Sequence, residues 1–121
     1  MKTTKDIGFG KEKEVVEHLK KLKYEIIETN FSTKFGEIDI IAKHKDAIVF
    51  IEVKYRKSLY SGVPQEAVTF KKQQKIIKSA ITYVKQNNIK NDIRFDVAAA
   101  DDNKIEIIES AFTSSDRLYY F

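Results

Sequence analysis

The stretch from Gly36 to Arg56, GEIDIIAKHKDAIVFIEVKYR, constrains the fold of this chain more than any other. Carboxylates alternate there with β-branched and aromatic residues, first in Glu37-Ile38-Asp39-Ile40-Ile41 and again in Ile48-Val49-Phe50-Ile51-Glu52-Val53-Lys54. Period two over side chains of this shape predicts two strands. The polar Lys43-His44-Lys45-Asp46 between them predicts a tight hairpin loop. Strand side chains alternate faces, so Glu37, Asp39 and Ile41 share one face, and Phe50, Glu52 and Lys54 share one face of the partner. A loop centred on Lys45-Asp46 sets Asp39 opposite Glu52 and Glu37 opposite Lys54, whereas a one-residue slip parts the two carboxylates. Opposed Cβ atoms stand about 4.5–5.5 Å apart. Two like charges that close destabilise a strand pair unless a cation lies between them. The bland alternative is a solvated hairpin face. It would leave Ile41 and Phe50 exposed beside the carboxylates, a mixture that a functional cleft explains better.

Composition narrows which cation. With no cysteine and only two histidines, His18 and His44, far apart in sequence and read as surface residues, a metal would be held by carboxylate oxygens. That favours Mg²⁺ or Mn²⁺. The missing cysteines also exclude disulfides, thiolate zinc sites and a cysteine nucleophile, with a reducing cytoplasm as the default compartment. No long apolar run predicts a membrane span or signal peptide. A length of 121 residues predicts one domain, 1–121. Net charge is only +4, but residues 67–91 hold six lysines and no acid. A local excess of one sign steers a polyanion more than the total does.

In chain order, Val15, Val16, Leu19 and Leu22 recur at helical spacing and predict a helix over about Thr4–Lys23. Glu12 falls on that apolar stripe. A carboxylate there either binds or pairs with a cation, or lies near the helix start, where the dipole favours acids and water is in reach. Tyr24–Asn30 reads as a first strand and Asn30–Lys34 as a turn. After the hairpin, Lys57–Pro64 is a loop whose approach carries Tyr55, Arg56, Lys57 and Tyr60, a composition suited to a phosphate backbone or simply to solvent. Thr69 is the expected N-cap of a second helix reaching Asn87, with Phe70, Ile77, Ala80 and Val84 on its apolar face and Ile76 at the flank. Lys71, Lys75, Lys78 and Lys85 gather within about 80° on the other side of an ideal wheel. Such a face either solubilises or grips phosphates, and the absence of neighbouring acids favours phosphates. Gln73 projects from the apolar side, so it sits in the first, wet turn or reaches into a site. Ile93–Ala100 and Lys104–Ser110 read as two more strands. The predicted order is helix, three strands, helix, two strands: an α/β sandwich around a mixed sheet.

These residues resemble the PD-(D/E)xK nuclease superfamily, through Asp39, the Glu52-Val53-Lys54 triplet and the helical Glu12. The spacing is similar to that of archaeal Holliday-junction resolvases. Nearly the whole chain looks like the YraN-like family of bacterial proteins, through Glu12, Asn30, GEIDIIA at Gly36–Ala42, FIEVKYR at Phe50–Arg56, Gly62, Val68, Lys72-Gln73, Ala80, RFDV at Arg94–Val97 and Ala111-Phe112. Two departures stand out: Lys11 where many relatives carry glycine, and Ile38 where the superfamily often has proline.

The resemblance implies a restriction-endonuclease-like fold and metal-dependent hydrolysis of phosphodiesters, structure-selective on branched or flapped DNA. Asp39 and Glu52 would hold Mg²⁺ or Mn²⁺ with the carbonyl of Val53, and Glu12 would add a ligand directly or through water. Lys54 would orient or deprotonate the attacking water, or stabilise the pentavalent phosphorus. Gln73 would steady the nucleophile, and Glu37 would support Lys54. Arg56, Lys57, Lys71, Lys72, Lys75 and Lys78 would grip the nucleic-acid backbone. Dimeric resolvases suggest a homodimer by analogy. A non-catalytic nucleic-acid-binding module on the same fold is the main alternative; a structural protein with an incidental charged hairpin is a third.

Overall fold

The structure is a computed structural model that describes the backbone of residues 4–55 and 68–113, with side chains from residue 10 onward. Its elements are α1 (Thr4–Lys21), β1 (Glu25–Thr33), β2 (Gly36–His44), β3 (Ala47–Tyr55), α2 (Phe70–Gln86), β4 (Ile93–Ala100) and β5 (Ile105–Phe112). The five strands lie side by side in chain order. Only β3 and β4 run parallel; the other neighbours are antiparallel. The parallel pair needs a long crossover, and α2 supplies it. This order and pairing match the restriction-endonuclease-like topology. No described helix is long and apolar enough to cross a membrane.

The helices cover opposite faces of the sheet. Under α1, Val15 and Leu19 pack on Ile40, Ala42, Val49, Ile51, Ala98 and Ala100. Under α2, Ile76, Ile77, Ala80 and Ile81 pack on Ile41, Ile48, Phe50, Phe95 and Val97. Ile41 and Phe50 are therefore not exposed beside the carboxylates, as the hairpin pattern suggests in isolation: both are fully buried. Each apolar side chain removed from water contributes about 1.5–3 kcal/mol, and a helix across that face collects it. Ser79 is the polar exception on the buried side of α2, and it shares a 2.7 Å hydrogen bond with Thr33.

Several boundaries differ from the sequence pattern for local reasons. Helix α1 stops at Lys21 because Lys23 takes a left-handed conformation (φ 72°), while the amides of Tyr24 and Lys23 turn back to the carbonyls of Leu19 and Lys20. Glycine usually signals this stop; lysine conceals it, and Leu22 is left exposed. Strand β1 runs on to Thr33, because Asn30 adopts φ 56° without leaving the strand. The turn follows it instead, with the Thr33 hydroxyl accepting from the Phe35 amide at 3.0 Å. Thr69 caps α2 as expected, accepting from the Lys72 amide. Phe70, by contrast, is 74% exposed, because the buried face of the helix begins only at Ile76.

The hairpin loop is shorter than its polar run suggests. Only Lys45 and Asp46 turn, with φ 50° and 65°, and His44 belongs to β2. Positive φ at both central residues gives the twist that antiparallel strands need, at a steric cost that glycine avoids. Asp46→Gly is expected to stabilise the fold by about 0.5–1 kcal/mol, read as a higher urea midpoint with unchanged slope. An unchanged or lower midpoint would show the turn to be unstrained.

Candidate active site at the fork of the sheet

The β2–β3 ladder starts at His44 with Ala47 and its last pair is Ile40 with Ile51. Beyond that point β2 stays with β1 as far as Gly36, and β3 stays with β4 as far as Tyr55. The sheet forks between them. Continued by one residue, the register sets Asp39 opposite Glu52, as the sequence predicts. The amide of Val53, released from the ladder, donates to Asp39 Oδ2 at 2.8 Å. A side-chain carboxylate thus takes a place that backbone carbonyls hold elsewhere in the strand.

The strand also changes phase here. Ile40 packs on the α1 side, whereas Ile38 and Ile41 both pack on the α2 side. Strict alternation would have put Ile38 with Ile40. The break falls at Asp39, whose neighbour across β1, by the same register, is the left-handed Asn30. Asparagine tolerates that conformation better than most residues. Glu37 is exposed and receives the Ser32 hydroxyl at 3.4 Å, and its charge adds to the rise in the pKa of both Asp39 and Glu12.

Glu52 is 6% exposed, and its Oε1 lies 3.9 Å from both Lys54 Nζ and Lys72 Nζ. Despite two ammonium groups, burial and then the adjacent Asp39 carboxylate push its pKa up to about 7. Burial also raises Asp39, against the Val53 amide and Lys72, which hold it down. Glu12 is raised by burial and then by Asp39, while the Asn30 amide, donating at 2.9 Å, opposes the rise. A site that holds buried carboxylates against their own repulsion gains from a cation.

The predicted residues are thus partly assembled. Asp39, Glu52, Lys54 and Lys72 converge; Glu12 stands within electrostatic reach, held by Asn30. Among the described residues, no group of three histidine or acidic side chains is close enough to hold a metal ion. Gln73 sits in the first turn of α2 with its amide nitrogen on the Val68 carbonyl at 3.0 Å. Lys71, Lys75 and Lys78 are exposed along α2. Arg56 and Lys57 lie outside the described residues, as do Gly62 and the Lys57–Pro64 loop. At the variant position before the helical glutamate, Lys11 pairs with Glu14 at 3.0 Å and lies over the Tyr55 ring, tying α1 to the end of β3.

A second polar cluster lies beside the hairpin turn. His44 is buried rather than on the surface, stacked on Tyr24 with ring centroids 3.9 Å apart. Arg94 donates to both oxygens of the fully buried Asp96 and to His44 Nδ1, and Tyr24 donates to Asp96 Oδ2. Burial and Arg94 lower the His44 pKa, which keeps the ring neutral as an acceptor. Nothing in the local pattern of the sequence joins residues that far apart. The i, i+2 spacing of Arg94 and Asp96 on one strand is the single signal available.

The model of the uncharacterised protein family UPF0102 matches residues 11–100, which include every residue named above in both clusters. A UPF0102 protein of Thermodesulfovibrio yellowstonii is 47% identical over 107 residues, covering 88% of this chain and 96% of its own. One from Clostridium botulinum is 48% identical over 113 residues, covering 92% of this chain and 86% of its own. One from a Sulfurihydrogenibium species is 41% identical over 103 residues, covering 84% and 90%. The match runs from the helical glutamate through the fork to the end of β4, and the chain belongs to the UPF0102 family.

Proposed function

We propose that this chain is a metal-dependent nuclease of the PD-(D/E)xK superfamily, hydrolysing phosphodiester bonds in DNA with preference for branched or flapped structure. The observation that carries the reading is the pairing of half-buried Asp39 with buried Glu52 at the fork, flanked by Lys54 and Lys72. Paired carboxylates with raised pKa and adjacent ammonium groups have the donor chemistry for a hard divalent cation beside a phosphate. Bound there, Mg²⁺ or Mn²⁺ would polarise the scissile phosphate and lower the pKa of water.

The chain's own groups supply the rest. Asp39 is oriented by the Val53 amide, so its carboxylate is fixed before any ligand arrives. Lys54, on the same face as Glu52, is placed to orient the attacking water or to stabilise negative charge on phosphorus. Lys72, at the start of α2, shares Glu52 Oε1 with Lys54 and would serve a neighbouring phosphate. Lys75 and Lys78 continue that line and grip the backbone without reading bases. Glu12, held by Asn30, is the outer carboxylate that a second ion or a bridging water would use.

The test is calorimetric and enzymatic together. Purified protein is expected to bind Mn²⁺ weakly and to cut flaps or four-way junctions, with both lost in Asp39→Ala. Unchanged Mn²⁺ binding in Asp39→Ala would refute the ligand assignment. Metal binding without cleavage of linear, flapped or four-way DNA would favour the second reading, a nucleic-acid-binding module. That reading draws on the arrangement of Glu12, which does not join the other two acids in a closed cluster.

A further inference from the structure

Between α2 and the β1–β2 turn lies a hollow of about 470 Å³ lined by Lys34, Phe35, Lys78, Ile81, Thr82, Lys85 and Gln86. Its floor is mainly apolar, and it has no acidic residue in its lining. Phe35, in the β1–β2 turn, is half-buried, and the ammonium groups of Lys34 and Lys78 stand 5.2 and 5.7 Å from its ring centroid. The turn that carries the ring is held by the bond from the Phe35 backbone amide to the Thr33 hydroxyl. An aromatic ring on an apolar floor beneath a basic rim is the chemistry that receives an unpaired base with its phosphates.

Its position relative to the fork gives the geometry a direction. Lys72 touches the site, and Lys75, Lys78 and Lys85 follow along the same helix. At about 1.5 Å per residue, Lys78 lies about 9 Å and Lys85 about 20 Å beyond Lys72. At about 3.4 Å per nucleotide, that spans roughly three to six steps of one strand.

We propose that this hollow is a single-strand site: it holds an unpaired base, on or against Phe35, from a DNA arm that leaves the fork along α2. The inference rests on the nuclease reading for the identity of the polymer and adds the substrate class, an arm with unpaired nucleotides a few steps from the cut. Charge complementarity commits the hollow to a polyanion, and the apolar floor commits it to one that carries bases.

The test needs no catalysis. Fluorescence anisotropy in EDTA compares a labelled oligothymidylate, an abasic strand of equal length and a blunt duplex. The oligothymidylate is expected to bind at least tenfold more tightly than the abasic strand, and Phe35→Ala to erase most of that difference. Phe35→Trp should preserve it. Because Phe35 is partly buried, Thr82→Trp, which fills the hollow from the helix, provides an independent variant with the same expected loss. Equal binding of abasic and base-bearing strands, or equal loss of duplex and single-strand affinity in both variants, would overturn the proposal. So would an oligoglutamate peptide displacing the strand at matched charge, since charge alone would then account for binding. Cleavage of junction substrates is a separate measurement: if it fails while single-strand binding behaves as stated, the nuclease reading falls and the single-strand site stands.

Discussion

On the proposed nuclease reading, Glu52→Gln is expected to abolish cleavage, by at least about 10³-fold for a residue proposed to hold the cation, while making the metal-free protein more stable at neutral and alkaline pH. The second half follows from the raised pKa. In the folded state Glu52 titrates near 7, against an ordinary value of 4.5, because it is buried beside Asp39. A carboxyl raised on folding binds its proton more tightly in the native state. Its favourable contribution is complete below about pH 4.5, where both states are protonated, and is lost as pH climbs through 7. Glutamine, which cannot ionise, escapes that loss. The variant should therefore gain on the wild type across this window and level off above it, by on the order of 3 kcal/mol at one pKa unit per 1.36 kcal/mol.

Urea unfolding in EDTA at pH 5 and pH 8 measures this. A pH-independent difference between the proteins would mean that Glu52 is not the strained acid. Saturating Mn²⁺ should reverse the order, since ligand binding stabilises only the protein that can hold it. Losing activity and gaining stability together is the signature of a site maintained against the preference of the fold.

Arg94→Ala is expected to be the most damaging single change to stability, at about 3–5 kcal/mol for stranding a buried charge. Asp96 is fully buried, and Arg94 gives it two hydrogen bonds of 2.8 and 2.9 Å. Without the guanidinium, Tyr24 and the Ser110 amide are the donors that remain to that carboxylate among the described residues, and His44 loses the Arg94 donor. The penalty comes from the orphaned anion, so removing both charges should cost less than removing one. Arg94→Met with Asp96→Asn is expected to be more stable than Arg94→Ala alone. If the double variant is the weaker protein, packing rather than charge is what Arg94 supplies. Junction cleavage by folded Arg94 variants should survive, because the cluster lies by the hairpin turn and not at the fork.

Much of the molecule could be read from local pattern. Period-two alternation in Glu37–Ile41 and Ile48–Lys54 determines two strands, and the polar Lys45-Asp46 between them determines their register. That register brings Asp39 and Glu52 face to face whatever else the chain does. Helical spacing with Thr69 as cap likewise fixes α2, and the lysines it carries follow from the same wheel. These are interactions over a few residues, where side-chain shape and period speak for themselves.

What tertiary structure decided depends on groups that no period connects. A hairpin alone cannot reveal that a helix 20 residues later will cover Ile41 and Phe50. Nor can it reveal that β2 and β3 will part after Ile40 and Ile51. Asn30 reads as a strand end, yet it stays in β1 with a left-handed backbone, its side-chain amide donating to Glu12 of α1. His44 reads as a loop residue and is drawn inside by Tyr24 and Arg94, which are 20 and 50 positions away. Burial, and the charge repulsion that burial amplifies, exist only once the layers meet, so the acidity of Glu52 belongs to the fold even though its position belongs to the sequence.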